Sequence, residues 1–429
     1  MAEKVLWKTK PVECWTKFKE IARERYTGDG TTTTTSNYRV QGFTASNYKV
    51  AGGGEGYAAN CANMGLTLEF RRACEGMGYA RDLCAYSGAH LGSIFTDKYA
   101  FGGSFPKPDL VKRGHTCDTH AKWALIEAEH YGVPFFATDG PLMYEFDSEQ
   151  TRQNKMDYMV AQELESIEWQ EKHTGERFDD EAYIRGLYNN FRSRNLWAQV
   201  CILNQNIPAP LDQKSIFSLF VIPFFQGARD ECAQQMEILR DEVEDRVKNH
   251  IAAVPTERYR FVTTGIPPWH ALNTFRYLEK YGAVSVACRY STDLGTNTTM
   301  VEGGREVPIP TLEERGIVLK TREEAIRCAI ERRCLYVTKT WRFCGHQGQE
   351  NDLRQARLWQ ADGALLHYNR GCEQFSLGLP QIRQALLEHN YDVLIYEGSS
   401  TDPRDIDQIR TFDRIDTLME SRGLEKLND

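Results

Sequence analysis

The sequence lacks the local motifs that mark several common kinds of site. No GxxxxGK(S/T) segment is present, which argues against a P-loop ATPase, and neither GxSxG nor HExxH occurs. The glycine-rich stretch GGGEG at residues 52–56 does not complete GxGxxG and opens no evident helix after a strand, so we interpret it as a flexible loop. There is also no CxxC pair, although the chain has 12 cysteines. A cysteine-based site would therefore have to combine distant segments.

Long apolar runs and blocks of like charge are missing as well. The longest apolar stretch, IFSLFVIPFF, is too short to span a bilayer, and the N-terminus has no apolar signal-peptide core. The 52 basic and 60 acidic residues give a net charge of −8 with no long run of either sign, which argues against a nucleic-acid or anionic-membrane surface. The sequence predicts a cytoplasmic protein with no nucleic-acid and no membrane partner. A local basic pocket for a phosphorylated ligand remains open.

Composition and turn residues divide the chain into an arm and two larger parts. The 429 residues, of which 41% are hydrophobic, suffice for two or three α/β domains. Residues 27–56 are rich in Thr, Ser, Asn and Gly, which favours an irregular arm over a packed helix. We predict an N-terminal arm at 1–56, a first α/β domain with a helical linker at 57–254 and a second α/β domain at 255–429.

Predicted strands alternate with predicted helices along the chain. A helix after Cys117 ends at Gly132, and a strand follows from Val133 to Asp139. A helical, polar-rich region runs from Ser148 to about Asn206, with a break at Gly175. Further strands are predicted at Tyr259–Thr264, in GAVSVACRY and in three C-terminal segments, RCLYVTKTW, ADGALLHYN and YDVLIYEGSS. Near-continuous apolar strands of this kind are expected of a parallel sheet that is buried on both faces.

Three cysteines occupy similar settings in the sequence. Cys84, Cys117 and Cys372 each lie at or just before the predicted start of a helix, near a strand end or loop. The free N–H groups and partial positive charge of a helix N-terminus lower a thiol pKa, and such positions suit thiolates that hold an anionic iron–sulfur cluster. The alternative is that most cysteines without a spacing motif are buried small residues. We interpret six in that way: Cys14, Cys61, Cys74, Cys201, Cys232 and Cys288.

Other thiols and imidazoles remain as alternatives. Cys328, Cys334 and Cys344 come closer together, but CAIERRC followed by CGHQG fits no zinc or ferredoxin pattern. Four histidines flank the favoured cysteines and could donate protons or hydrogen-bond to a metal ligand, or be ordinary polar neighbours. They are His90, His115, His120 and His367.

Three segments carry a family resemblance. LCAYSGAHLG, HTCDTHAKWALIE with GVPFFATD, and the C-terminal region from DGALLHYNRGCEQF to RTFDRIDTLME resemble the benzoyl-CoA reductase and 2-hydroxyacyl-CoA dehydratase family. The similarity covers nearly everything after about residue 60, and it is most like the B-type, cluster-binding subunits of the ATP-dependent benzoyl-CoA reductases. It implies an α/β fold with two Rossmann-like (flavodoxin-like) parallel-sheet domains joined by a helical segment. It also implies an iron–sulfur cluster held by Cys84, Cys117 and Cys372, either a 4Fe-4S cluster or half of a bridged double-cubane cluster.

The resemblance also implies a function and partners. The chain would be a subunit of an iron–sulfur enzyme that reduces benzoyl-CoA to a cyclohexadiene carbonyl-CoA by low-potential single-electron transfer. The implied partners are a homologous cluster-binding subunit, ATPase activator subunits with their own 4Fe-4S cluster, ferredoxin as electron donor and the acyl-CoA substrate. Tyr86, His90 and His367 are the candidate proton donors or carbonyl partners. Three alternatives stay open: a radical 2-hydroxyacyl-CoA dehydratase subunit, a non-catalytic electron-relay or scaffold subunit, and an α/β binding protein without metal.

Overall fold

The computed structural model describes residues 16–21, 23, 54–144, 146–294, 299–332, 334 and 345–427. The α-helices after residue 53 are α1 (Gly54–Asn63), α2 (Thr67–Gly76), α3 (Ala85–Phe95), α4 (Asp118–Tyr131), α5 (Glu149–Thr174), α6 (Asp180–Leu203), α7 (Gln213–Leu219), α8 (Val221–Phe225), α9 (Asp230–Lys248), α10 (Asn273–Tyr277), α11 (Arg322–Arg332), α12 (Gly345–Leu358), α13 (Glu373–Ser376), α14 (Leu379–Glu388) and α15 (Gln408–Ser421). The strands are β1 (Val111–Gly114), β2 (Phe135–Thr138), β3 (Tyr259–Thr264), β4 (Ala283–Cys288), β5 (Thr299–Glu302), β6 (Arg305–Pro308), β7 (Gly363–Asn369) and β8 (Asp392–Gly398).

The larger sheet has four parallel strands in the order β4-β3-β7-β8. If these four strands are numbered 1 to 4 along the chain, their order across the sheet is 2-1-3-4, which is the order that begins flavodoxin-like sheets. One face buries Val262, Val284 and Leu366 against Trp359 and Ile382 of the flanking chain. The carboxyl ends of β3 and β7 lie side by side where the strand order reverses, which is the place where open α/β sheets bind ligands.

The smaller sheet consists of β1 and β2, which pair in parallel and are connected through α4. The helix begins after Cys117 and ends at Gly132, which adopts a left-handed φ of 64°. All four residues of β1 are buried, and Lys112 of this strand pairs with Glu163 of α5 at 2.7 Å. The α/β class with parallel sheets is therefore confirmed. Because this sheet has two strands within the described residues, the description of both domains as Rossmann-like stays a prediction.

Most predicted elements within the described residues are confirmed. The strand Tyr259–Thr264 has the predicted bounds, the three other strands in GAVSVACRY, ADGALLHYN and YDVLIYEGSS are present, and Gly132 and Gly175 end their helices as expected. RCLYVTKTW lies almost entirely outside the described residues, and so does most of the arm. The interpretation of GGGEG as a loop is wrong for its last three residues, because α1 begins at Gly54. The domain boundaries themselves stay predictions.

No helix among the described residues has the length and apolar character needed to cross a membrane.

The N-terminal helices pack closely against each other and against the end of the larger sheet. A Cβ atom placed on Gly92 of α3 would lie 1.8 Å from the carbonyl oxygen of Phe70 in α2, so the backbones of these helices are in direct contact. The hydroxyl of Thr67 in α2 donates to the carbonyl of Thr401, after β8, at 2.8 Å. These contacts join α3 to α2, and α2 to the loop at the carboxyl end of the larger sheet.

We expect Gly92→Ala to lower the free energy of unfolding by about 3 kcal/mol or more, because α2 and α3 must separate to admit the methyl group. Gly76→Ala is the matched control, since its Cβ would meet no atom within 4 Å. There a gain of about 0.5 kcal/mol is expected from the reduced entropy of the unfolded chain. Urea unfolding of both variants measures the difference, and equal stabilities would contradict the close helix contact.

Candidate active site

Each of the three favoured cysteines is the N-cap residue of a helix. Cys84 precedes α3, Cys117 precedes α4 and Cys372 precedes the short helix α13, as the sequence predicted. Backbone N–H groups in the first turn of each helix lie close enough to the sulfur to lower the thiol pKa, for example those of Tyr86 and Ser87 at Cys84. None of the three cysteine side chains forms a capping hydrogen bond to its helix. The helix starts therefore supply partial positive charge to all three sulfurs.

The three thiols lie in one region. The charge of Cys117 acts on Cys84, and the charges of both act on Cys372. Gly371 explains how the distant segments meet, because a Cβ atom there would lie 2.8 Å from the carbonyl oxygens of Asp82 and Leu83. Gly371 also has a left-handed φ of 72°. The backbone next to Cys372 thus rests directly on the backbone next to Cys84. The role of the three thiols as metal ligands stays a prediction.

Burial opposes ionisation of two of these thiols. It raises the pKa of Cys84 to about 11 and that of Cys372 further still, and the neighbouring thiolates add to both effects. In the metal-free chain, burial therefore outweighs the effect of the helix termini on the pKa of these two cysteines. Cys117 differs: burial raises its pKa, but the hydrogen bond and charge of His120 outweigh burial and lower it overall.

Thiols are possible ligands for a metal centre. Among the described residues, no group of three or more His, Cys, Asp or Glu side chains forms a site for one metal ion. Buried thiolates that repel one another are stabilised by a metal's positive charge, which deprotonates a coordinating thiol. Three cysteine donors are the ligand type that iron–sulfur clusters require, and the assignment of such a cluster to this chain stays a prediction.

A polar chain runs from Cys117 into the protein. Cys117 Sγ lies 3.1 Å from His120 Nδ1, and the other imidazole nitrogen bonds to Glu55 of α1. The second carboxylate oxygen of Glu55 accepts from Arg113 at 3.1 Å. Burial would lower the pKa of His120, but the charge of Glu55 outweighs it and raises that pKa to about 9. The chain therefore holds a protonated imidazole against the sulfur at neutral pH, with a carboxylate behind it.

A cavity of about 240 Å³ is lined in part by Glu55 and Tyr86. Its apolar wall consists mainly of aromatic and aliphatic side chains: Phe217, Phe220, Val221, Phe225, Trp269 and Leu272. Tyr86, Tyr290 and Glu55 lie at its polar side. Tyr86 is two residues after Cys84, and its buried hydroxyl accepts a hydrogen bond from Trp269 Nε1. Glu55 belongs both to this cavity and to the polar chain of Cys117, so cavity and thiols share residues.

The structure separates the other predicted site residues from the cavity. His90 is buried in an aromatic cluster and accepts from Trp123 Nε1 at 2.8 Å. His367, on β7, stacks on the ring of Tyr396 at 4.8 Å and bonds through Nδ1 to the carbonyl of Ile266. Neither of these two histidines lines the cavity. Their predicted part as proton donors has no support from these positions.

The remaining candidates have ordinary surroundings. His115 is 40% exposed in its side chain and pairs with Asp118 and Asp139. Cys328 and Cys334 belong to a separate apolar cluster around α5, α6 and α11, whereas Cys344 lies outside the described residues. The cysteines interpreted as structural are all buried, except Cys14, which is not described: Cys61, Cys74, Cys201, Cys232 and Cys288.

Sequence reasoning missed three residues of the site. Glu55 belongs to the stretch that the sequence indicated as a loop. In the structure it is the second residue of α1, and its carboxylate bonds to His120. Trp269 and Tyr290 follow β3 and β4, and the rule that ligands bind beyond the carboxyl ends of strands could have selected them. No spacing signal connects any of the three with the cysteines.

The profile of the 2-hydroxyglutaryl-CoA dehydratase, D-component family matches residues 56–421. Because this match covers most of the chain, the chain belongs to that family. The family resemblance seen in the sequence is thereby confirmed.

Curated relatives of this chain have modest identity. The (R)-2-hydroxyglutaryl-CoA dehydratase alpha subunit of Acidaminococcus fermentans is 25% identical, over 74% of this chain and 61% of its own length. The (R)-2-hydroxyisocaproyl-CoA dehydratase alpha subunit of Clostridioides difficile is 23% identical, over 85% of this chain and 84% of its own length. A benzoyl-CoA reductase subunit of Thauera aromatica is 24% identical, over 83% and 79%. The chain spans 61% of the first relative, and dehydratases and a reductase resemble it about equally.

The buried imidazole of His367 predicts a pH dependence of stability. Burial lowers its pKa to about 4, whereas a histidine in the unfolded chain titrates near 6.5. The unfolded state therefore binds a proton first, and stability is lost as the pH falls from about 6.5 toward 4. Between pH 7 and pH 5 the free energy of unfolding should therefore fall in the wild type, and we expect this fall to be about 2 kcal/mol smaller in His367→Gln.

Urea unfolding at both pH values measures this effect. His389→Gln, at an exposed histidine, is the control and should follow the wild type. An unchanged pH dependence in His367→Gln would contradict the buried neutral imidazole.

Proposed function

We propose that this chain is the cluster-binding subunit of an enzyme that transfers single electrons to an acyl-CoA thioester. The observation that carries the proposal is the meeting of three half-buried thiols. Glu55, which bonds to His120 next to Cys117, and Tyr86 both line an aromatic cavity. Family membership supports an acyl-CoA substrate, because the relatives are named as acyl-CoA dehydratases and a benzoyl-CoA reductase. The finer proposal is reduction of benzoyl-CoA to a cyclohexadiene carbonyl-CoA.

Cys84, Cys117 and Cys372 would hold a 4Fe-4S cluster, or half of a bridged double-cubane cluster. When bound, such a cluster supplies electrons one at a time at low potential. Three protein thiolates leave one cluster position without a cysteine. The hydrogen bond from His120 to Cys117 makes that thiolate differ from the other two, since hydrogen bonds to sulfur tune a cluster's potential.

The cavity suits an apolar ring. A dry cavity of about 150 Å³ is enough to bind benzene, so about 240 Å³ accommodates a phenyl group with the adjoining thioester carbon and oxygen. Phe217, Phe220 and Trp269 give aromatic walls on which such a ring can stack.

Polar residues at the cavity supply the remaining chemistry. The hydroxyl of Tyr86 accepts from Trp269 and also interacts with the hydroxyl of Tyr290, so the two phenols together present O–H groups to a thioester carbonyl in the cavity. Burial raises the pKa of Tyr86 well above its usual value, which keeps it protonated. Glu55, held by Arg113 and His120, is the carboxylate nearest to both the cavity and the thiols. We propose Tyr86 as the carbonyl partner and Glu55 with His120 as the route for protons.

The proposed enzyme needs partners. The relatives are themselves named as single subunits of dehydratases and of a reductase, which supports an assembly with a homologous cluster-binding subunit. The absence of a P-loop motif from the sequence agrees with ATP hydrolysis in separate activator subunits that carry their own 4Fe-4S cluster and receive electrons from ferredoxin. A cytoplasmic location is part of the same proposal.

A second candidate is a radical 2-hydroxyacyl-CoA dehydratase subunit, in which an electron is used catalytically and water is eliminated. The family name and the two dehydratase relatives favour it. An electron-relay subunit without substrate is the third candidate, and the cavity beside the thiols argues against it.

We expect Cys84→Ser, Cys117→Ser and Cys372→Ser each to lose most of the iron and acid-labile sulfide, because each removes one thiolate ligand. The measurement is metal analysis of the complex purified anaerobically with its partners. Cys328→Ser is the matched control, since Cys328 is buried in a separate apolar cluster. Full iron retention in all three variants, or iron loss in the control, would show that the ligands are other cysteines.

Product analysis separates the two enzymatic candidates. With benzoyl-CoA, the reductase should consume two electrons and two protons for each cyclohexadiene carbonyl-CoA formed, because the ring is reduced by that amount. A dehydratase should instead convert an (R)-2-hydroxyacyl-CoA to the enoyl-CoA with only catalytic use of electrons. Turnover of the hydroxyacyl-CoA without turnover of benzoyl-CoA would refute the reductase assignment and leave the cluster assignment intact.

A further inference from the structure

Arg71 connects the Cys84 segment to the other half of the chain. This arginine of α2 is only 2% exposed. Its guanidinium donates to the backbone carbonyls of Arg81, Leu83 and Cys84, at 3.5 Å for Leu83 and 3.3 Å for Cys84. Its Nε pairs with the carboxylate of Asp402 at 3.3 Å. One side chain therefore holds the segment that ends at Cys84 and also binds the loop after β8.

Asp402 is itself fixed by other groups. It is fully buried, and it accepts from the backbone N–H of Arg404 at 3.0 Å and from its Nε at 2.9 Å. Arg404 pairs in turn with Glu75 of α2. The hydrogen bond from Thr67 to the carbonyl of Thr401 gives a further connection to α2. The hydrogen bonds of Arg404 and Thr67 therefore fix the loop after β8 against α2 independently of Arg71.

The same loop region holds the segment of Cys372. The backbone N–H of Arg370 donates to the carbonyl of Gly398, at the end of β8, at 2.8 Å. The neighbouring Gly371 rests on the carbonyl of Asp82. Both cysteine segments are therefore attached to the chain at the end of β8. The Cys372 segment is attached through Arg370, and the Cys84 segment is attached through Arg71.

Space for the Arg71 side chain depends on a glycine. A Cβ atom on Gly88 of α3 would lie 2.2 Å from one terminal nitrogen of Arg71 and 3.0 Å from its Cδ. The planar guanidinium presents several N–H donors in fixed directions, which one lysine ammonium cannot reproduce. Four acceptors around one buried side chain use that geometry fully.

We propose that Arg71 is a positioning residue that fixes Cys84 relative to Cys372 across the interface between the two halves. The inference rests on the proposed function in so far as these thiols hold a cluster. Their spacing, however, is a property of the metal-free chain and can be tested there.

The test uses the full-length metal-free protein and a short bifunctional thiol reagent. We expect Arg71→Lys to lower the yield of the Cys84–Cys372 cross-link, measured by peptide mass spectrometry, by about fivefold or more, because the lysine cannot hold the carbonyls and Asp402 together. Labelling of Cys84 by a monofunctional reagent should persist. A yield within about twofold of the wild type, or no cross-link in the wild type, would overturn the proposal.

Arg404→Lys is the matched control, since Arg404 also binds Asp402 but makes no contact with the carbonyls before Cys84. Its cross-link yield should stay near that of the wild type, and an equal loss would assign the effect to the loop rather than to Arg71. If Arg71→Lys does not fold, as judged by circular dichroism, Asp402→Asn carries the test. This variant removes the charge that holds Arg71, so a yield at the wild-type level would again overturn the proposal.

Iron analysis of the wild-type complex distinguishes failure of this inference from failure of the proposed function. A complex without iron, together with a cross-link that depends on Arg71, refutes the cluster and supports the positioning role. A complex with iron, together with a cross-link that does not depend on Arg71, refutes the positioning role alone. In iron-containing Arg71→Lys, a changed electron paramagnetic resonance line shape is the expected result for an altered ligand geometry.

Discussion

The buried ion pair between Arg71 and Asp402 is the interaction on which the candidate site most depends. Cys84 and Cys372 are far apart in the chain and belong to segments that contact each other through loops. A buried ion pair adds little net stability by itself, but loss of Asp402 would leave the buried guanidinium of Arg71 with only carbonyl acceptors, and removing one partner of such a pair costs about 3–5 kcal/mol. The pair therefore acts mainly by making any other arrangement of the two segments unfavourable. Burial alone would raise the pKa of Asp402, but hydrogen bonds from Arg404 outweigh it and lower that pKa to about 2, so this carboxylate stays ionised at physiological pH.

Features that depend on adjacent residues could be predicted from the sequence. Apolar runs indicated β3, β7 and β8, and glycines in the left-handed conformation end α4 and α5 where expected. The three favoured cysteines do cap helices, because the change from a loop to a helical pattern is visible in the residues around them. Local sequence thus determines where each thiol lies within its own element.

Features that depend on tertiary packing could not be predicted in this way. Burial reverses the expected effect of the helix terminus on the pKa of Cys84, and the degree of burial follows from segments far away in the chain. Glu55 becomes a partner of His120 only once α1 packs beside α4. The pairing of Arg71 with Asp402 joins residues 331 positions apart, and neither residue lies in a recognisable pattern. The same limit explains why His90 and His367, although close to the cysteines in sequence, are turned into aromatic surroundings.

The segment Gly398–Asp405 contributes no thiol and no aromatic ring, yet three parts of the site are attached to it. It binds Arg370 beside Cys372, Arg71 behind Cys84, and the backbone N–H of Trp269 in the cavity wall, which donates to Ser400 at 2.9 Å. If the two halves of the chain shift slightly, thiols and cavity wall move with this common support. In the function proposed for this chain, that support would keep constant the gap that an electron crosses by tunnelling. A short stretch of loop after one strand would thus shield the electron-transfer rate from the ordinary motions of the protein.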